Sequence, residues 1–245
     1  MMRLALAVVV AFAQLFPYNG PGRAKNTVTL AYSLPTSAVA STTNASSYAF
    51  SSFTPSASAI LTIETCMTGN TGTFSISSSA GASLTWTAHA TTASDGTNKC
   101  MLFWARTSPN PSASTFQVDT NNGNASGAGI AIKQWTGADT ITASPIKQVV
   151  AVTNGSASTT PTWTVSTLDT NDGYASFFWN TTNVAGVTGP STWTRDVNLG
   201  YATPTTGWAS ATKITGLTGT SVAWGSTSTA WRGITYEVYA SGTGP

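Results

Sequence analysis

Thirteen runs of six to nine residues, each alternating apolar with Ser or Thr or rich in β-branched side chains, recur along the chain with Gly, Asn, Pro or Ser clusters between them. They cover residues 26–33, 47–53, 59–67, 71–77, 83–90, 99–107 and 114–119, then 129–135, 146–153, 162–167, 174–180, 191–198 and 232–239. Runs of this length suit strands, and alternation sends successive side chains to opposite faces of a sheet. No stretch keeps a helical apolar period over three turns. The spacing predicts an all-β chain, a single β-sandwich of jelly-roll type. In 83–89, Leu84 and Trp86 fall on one face and Thr85, Thr87 and His89 on the other. In 71–77, Phe74 and Ile76 form the inner row. The Gly-, Thr- and Pro-rich region 186–219 is the least strand-like and reads as long surface loops.

Composition narrows the function. Only 7% of the 245 residues are charged, and the net charge is +2. Ten Lys and Arg spread through the chain make no basic face, which argues against nucleic acid as a partner. At 41% apolar, with nine Trp, nine Phe and seven Tyr, the chain buries a sizeable core and is not a disordered tail. The 30 Ser and 45 Thr take the wet faces of strands, where Thr favours the pleat and needs no charge to stay soluble.

The N-terminus divides from the rest. Residues 1–25 carry Met1-Met2-Arg3 and a short apolar run from Leu4 to Phe16, and residues 26–245 form the sandwich domain. The run is too short to span a bilayer, which takes about 20 residues. It reads as an extended arm, with Leu4, Val8, Val10, Phe12, Leu15 and Phe16 as assembly contacts; the alternative is a signal-like segment ending near Ala11-Phe12-Ala13.

Chemistry-bearing residues are few. Cys66 and Cys100 read as two free, buried thiols, with a disulfide as the alternative in an oxidising compartment. Two cysteines and the lone His89 fall short of a four-ligand structural zinc site, so no metal and no cofactor are expected. His89 has no nucleophile motif around it and reads as a strand-end surface histidine. Five of the eight acids, Asp95, Asp119, Asp139, Asp169 and Asp172, lie in turn-like sequence; Glu64 and Glu237 lie in strands. A sandwich glycosidase needs two carboxyls about 5–10 Å apart, and Glu64 with Glu237 is the pair to consider. An internal echo relates residues 118–126 to residues 168–176 at six of nine positions, and its Asn122-Gly123 and Asp172-Gly173 tips predict hairpin turns in preference to a calcium loop. Trp193, Trp208 and Trp231, in loop-rich sequence, are the candidates for exposed aromatic contacts, the stacking platform of a carbohydrate-binding module.

The order of several short motifs resembles β-rich structural virion proteins of tailed bacteriophages. They are Phe53-Thr54-Pro55-Ser56-Ala57, Ala59-Ile60-Leu61-Thr62-Ile63, Gly72-Thr73-Phe74-Ser75-Ile76 and Leu84-Thr85-Trp86-Thr87. Phe103-Trp104-Ala105, Trp135-Thr136-Gly137-Ala138-Asp139, Pro204-Thr205-Thr206-Gly207-Trp208 and Tyr236-Glu237-Val238 continue it. The resemblance implies a jelly-roll or lectin-like sandwich with no catalytic residues, serving as head decoration (cement) protein or tail component. Its partners would be further copies of itself, as a trimer or other homo-oligomer, and the major capsid or tail proteins. It places the chain in a virion assembled in the host cytoplasm. The alternatives are a secreted or tail-borne module that binds a glycan and, behind it, the glycosidase.

Overall fold

The computed structural model describes residues 29–242, apart from 82, 167, 182–186, 204 and 227. Leu4, Val8, Val10, Phe12, Leu15 and Phe16 lie outside the described residues. The first part of the chain forms β1 (Ala31–Ser33), β2 (Val39–Ser41), β3 (Ser47–Ala49), β4 (Ile60–Thr68) and β5 (Phe74–Ala80). It continues through β6 (Thr87–Ala88), β7 (Ala93–Ser94), β8 (Asn98–Arg106), β9 (Thr115–Thr120) and β10 (Gly127–Thr136). The second part forms β11 (Ile146–Ser158), β12 (Thr162–Thr164), β13 (Gly173–Asn180), β14 (Thr194–Ala202), β15 (Thr205–Lys213), β16 (Ser221–Ala223) and β17 (Thr229–Val238). The chain is all-β, with no helix among the described residues.

Two antiparallel sheets lie at the centre. The first runs β1-β10-β4-β8-β6, with β2 also on β10 and β7 on β8; the second runs β11-β17-β13-β15-β14. Between them sits a core of Ile60, Leu102, Trp104, Trp135, Phe177, Trp179, Trp208, Ile234 and Tyr236. This is the β-sandwich that the alternation predicts. Two small layers flank it. The β3-β9-β5 ribbon covers the outer face of the first sheet through Tyr48, Phe74, Phe116 and Val118, packed on Leu61, Ile63, Phe103, Ile130 and Ile132. The β12-β16 ribbon covers the outer face of the second through Trp163 and Val222, packed on Phe178, Ala209, Ala211 and Trp231. Both central sheets are therefore buried on both faces, which explains why β4, β10 and β13 are buried along nearly their whole length.

Much of the region read as surface loops is instead strand: β14 extends beyond the predicted run 191–198, and β15 was not predicted. β14 and β15 complete the second sheet, and β15 is buried from Thr206 to Thr212. Its sequence hides this because the strand is built from Gly, Ala, Ser and Thr, whose small side chains lie beneath large aromatics. Its one aromatic, Trp208, lies over Gly129 of β10, where a Cβ would come within 2.4 Å of the ring.

The echoed turns also depart from expectation. Neither joins a hairpin: residues 121–126 carry the chain from the first outer ribbon (β9) to the first central sheet (β10), and 165–172 carry it from the second ribbon (β12) to the second sheet (β13). The echo thus marks one layer-crossing device used twice. Its first copy places an exposed Asn122 at the tip, and its second places Asp172 there, fully buried.

Cys66 and Cys100 are not free thiols. They occupy directly opposed positions on β4 and β8 and form a disulfide. Antiparallel register brings such a pair within bonding reach, a relation that a separation of 34 residues does not disclose.

Candidate functional site

Two lysines reach inward, and each meets two carboxylates that also accept from tyrosine hydroxyls. The central cluster lies between the two large sheets. Lys133 on β10 stands opposite Thr62 of β4, and Glu64 stands opposite Ala131, so both side chains leave the same face of the first sheet. Lys133 Nζ is 2.9 Å from Glu64 Oε1 and 2.7 Å from Asp196 Oδ2, and all three side chains are at most 2% exposed. Asp196 comes from the second sheet. It sits at a register shift between Arg195 and Val197 on β14, and the extra residue of such a bulge is re-aimed relative to its neighbours.

Hydrogen bonds fill the remaining valences. Tyr32 donates its hydroxyl to Asp196 Oδ1 at 2.7 Å, and Thr212 donates to Oδ2 at 2.6 Å. Tyr236 donates to Glu64 Oε1 at 3.0 Å, and Ser210 to Glu64 Oε2. Trp135 Nε1 donates to Thr62 Oγ1, which bonds in turn with the Tyr236 hydroxyl at 2.9 Å. Burial raises the Glu64 carboxyl above its ordinary range, against the opposing pull of Lys133 and Ser210. Burial, followed by the Glu64 charge, holds the Tyr236 phenol well above its usual value.

The second cluster lies on the opposite face of the second sheet, at its rim. Lys147 of β11 is 3.1 Å from both Asp172 Oδ2 and Glu237 Oε1; the carboxylates are fully buried, but the lysine is 21% exposed. Tyr174 donates to Glu237 Oε1 at 2.6 Å, Gln148 donates to Oε2, and Asp172 Oδ1 accepts the Ala240 N–H at 2.8 Å. Burial pulls the Lys147 ammonium down, but its bonds to Glu237 and Asp172 outweigh this and raise its pKa. Glu237 is raised, first by burial. A fifth ion pair, Arg232 to Asp95 at 2.6 Å, ties β17 to the loop before β8. Five of the eight carboxylates are thus held by three internal cations.

The glycosidase pair is not assembled. Glu64 meets the Tyr236 hydroxyl between the sheets, whereas Glu237, the next residue on β17, points to the other face. The aromatic candidates are also corrected: Trp208 and Trp231 are 1% and 6% exposed, and Trp193 is half-buried against the core beneath the second ribbon. Trp208 is covered because its strand lies inside the sandwich, and Trp231 because the second ribbon packs over it. His89 is half-buried, its Nδ1 accepting the Thr91 N–H at 3.1 Å, and burial lowers its pKa. No group of three metal-ligating side chains occurs among the described residues.

Lys133, Asp196, Lys147 and Tyr32 were not singled out by sequence. Lys133 does leave a signal: it interrupts a run of Gly, Ala and Ile at a position in phase with inward-facing Ala131 and Trp135. Asp196 leaves none, because a bulge sets its direction. No protein family, no curated protein and no solved structure matches this chain.

Proposed function

We propose that this chain is a non-catalytic structural component of a bacteriophage virion, a head decoration or a tail or fibre protein. It acts by mechanical endurance and by burying neutral polar surface against other copies and neighbouring particle proteins. The observation that carries this reading is the fate of the charged groups. Five carboxylates are bound to Lys133, Lys147 and Arg232, and these pairs join strands and layers of the fold. Ser and Thr dominate the wet strand positions, as in the half-exposed stretch Ser75 to Ser79 of β5. The phage context itself rests on the order of the short motifs. A protein that binds only the assembled particle stabilises it by linkage.

The test is to raise antibody against the recombinant chain and probe density-gradient fractions of particles from the source culture. Co-sedimentation with intact particles at a fixed copy number is expected. Recovery of the chain only as free protein would overturn the reading.

A further inference from the structure

We propose that Lys133 and Asp196 join in an intramolecular amide bond, formed by the folded protein itself, that links the two central sheets covalently. The inference rests on the geometry of the central cluster and is independent of the proposed function.

The cluster meets three requirements. The first is contact. The Lys133 amine lies 2.7 Å from Asp196 Oδ2, held there by two sheets that are themselves packed on both faces. Groups fixed in contact reach effective molarities of about 10⁵–10⁸ M, which suffices to drive reactions that free amines and carboxylic acids do not undergo in water. The second is neutrality. An amine attacks a carboxyl only when both are uncharged, and with Lys133 and Glu64 at 0% exposure and Asp196 at 2% the proton need move only within the hydrogen bond that joins the pair, out of reach of water. The third is a proton carrier. Glu64 Oε1 touches the same amine at 2.9 Å, and burial biases its carboxyl toward the protonated form.

The step balances without any co-reactant. A proton passes from the Lys133 ammonium to Asp196 within their hydrogen bond, leaving an amine and a carboxylic acid. The Nζ lone pair attacks Asp196 Cγ, and the developing oxyanion on Oδ1 is stabilised by the Tyr32 hydroxyl, already donating to that atom at 2.7 Å. Glu64 takes a proton from the nitrogen and delivers one to Oδ2. The Cγ–Oδ2 bond breaks, one water leaves, the amide remains and Glu64 is regenerated.

Asp196, and not Glu64, is the acceptor for two reasons. Asp196 is the closer of the two, and it borders a cavity of about 550 Å³ lined by Leu34, Thr36, Ser37 and Ala38 through which water can leave. The rim cluster lacks this chemistry despite a similar set of groups. Lys147 is 21% exposed, so water solvates its ammonium, the unreactive form, whereas Lys133 is shut off from water.

Intact mass spectrometry of the full recombinant chain, reduced and denatured, tests the proposal without depending on any variant folding. The wild-type mass is expected to fall below the sequence mass by one water, and digestion is expected to yield a branched peptide joining Lys133 to Asp196. Asp196→Ala and Lys133→Arg restore the sequence mass. Glu64→Gln, which keeps the side-chain shape, leaves the chain uncross-linked. A wild-type mass equal to the sequence mass overturns the proposal. So does a loss mapped to Asp95 or Asp172, each followed by Gly and prone to simple dehydration, or a branched peptide joining Lys133 to Glu64.

Discussion

The central and rim clusters are built alike, one lysine between two carboxylates that accept from tyrosine and neutral polar side chains, with two tyrosines and two hydroxyls in the centre against one tyrosine and one amide at the rim. They differ in water. Lys133 is fully buried between two sheets, whereas Lys147 reaches solvent at the sheet rim. In the rim cluster the lysine remains an ordinary cation and the carboxylates anchor it. In the central cluster every charge is desolvated, and the amine is held against the carboxyl it attacks with water excluded from both. Composition alone would have assigned the two clusters one role; their depth in the layered fold separates them.

The comparison breaks most visibly at the lysines. Lys133→Met leaves two buried carboxylates without their cation and removes the link between the sheets. Orphaning buried partners of this kind costs about 3–5 kcal/mol, and guanidinium unfolding is expected to show at least that loss. Next comes the disulfide, which sits in the same sheet as Lys133. Replacing Cys66 and Cys100 by Ala together releases a loop spanning 34 residues, for an expected loss of roughly 3–4 kcal/mol by thermal or chemical unfolding. Lys147→Met is expected to cost less, about 1–2 kcal/mol, because the lysine is partly solvated and Gln148, Tyr174 and the Ala240 amide still serve its carboxylates. If the two lysine variants lose equal stability, depth is not what separates the clusters.

The smallest effect is a pH slope. The folded Glu237 carboxyl has a raised pKa, so the native state keeps a proton that the unfolded chain has already lost. Unfolding then releases a proton, and stability falls as pH rises from the unfolded value of 4.5 toward the folded one. Glu64 contributes in the same direction. For one proton the slope is at most about 1.4 kcal/mol per pH unit. Unfolding midpoints measured across this range should show a flatter slope for Glu237→Gln; an unchanged slope would remove Glu237 from the account.

The alternating runs disclosed most of the fold. The predicted 59–67, 99–107, 114–119, 129–135 and 174–180 coincide closely with β4, β8, β9, β10 and β13, because strands packed on a core must alternate or be apolar throughout. β15 was missed because a strand of small residues pressed between aromatics carries no hydrophobic period of its own. The layer crossings at Asn122 and Asp172 were misread as hairpins, since Asn-Gly and Asp-Gly record that the chain turns but not which sheet it enters. The site was less legible. Glu64 and Glu237 stood out as acids within strands, but the β17 alternation that separates them gives no hint of their cations. Asp196 depends on a bulge, and Cys66 with Cys100 on cross-strand register, both properties of pairing between distant segments.

Reductive methylation of the unfolded, reduced chain, scored lysine by lysine by mass spectrometry, compares the two clusters most directly. With every side chain exposed to reagent, a free amine is modified wherever it sat in the fold. The account predicts that Lys147 is fully methylated while Lys133, its nitrogen already an amide, is untouched. Equal methylation of Lys133 and Lys147 would contradict it.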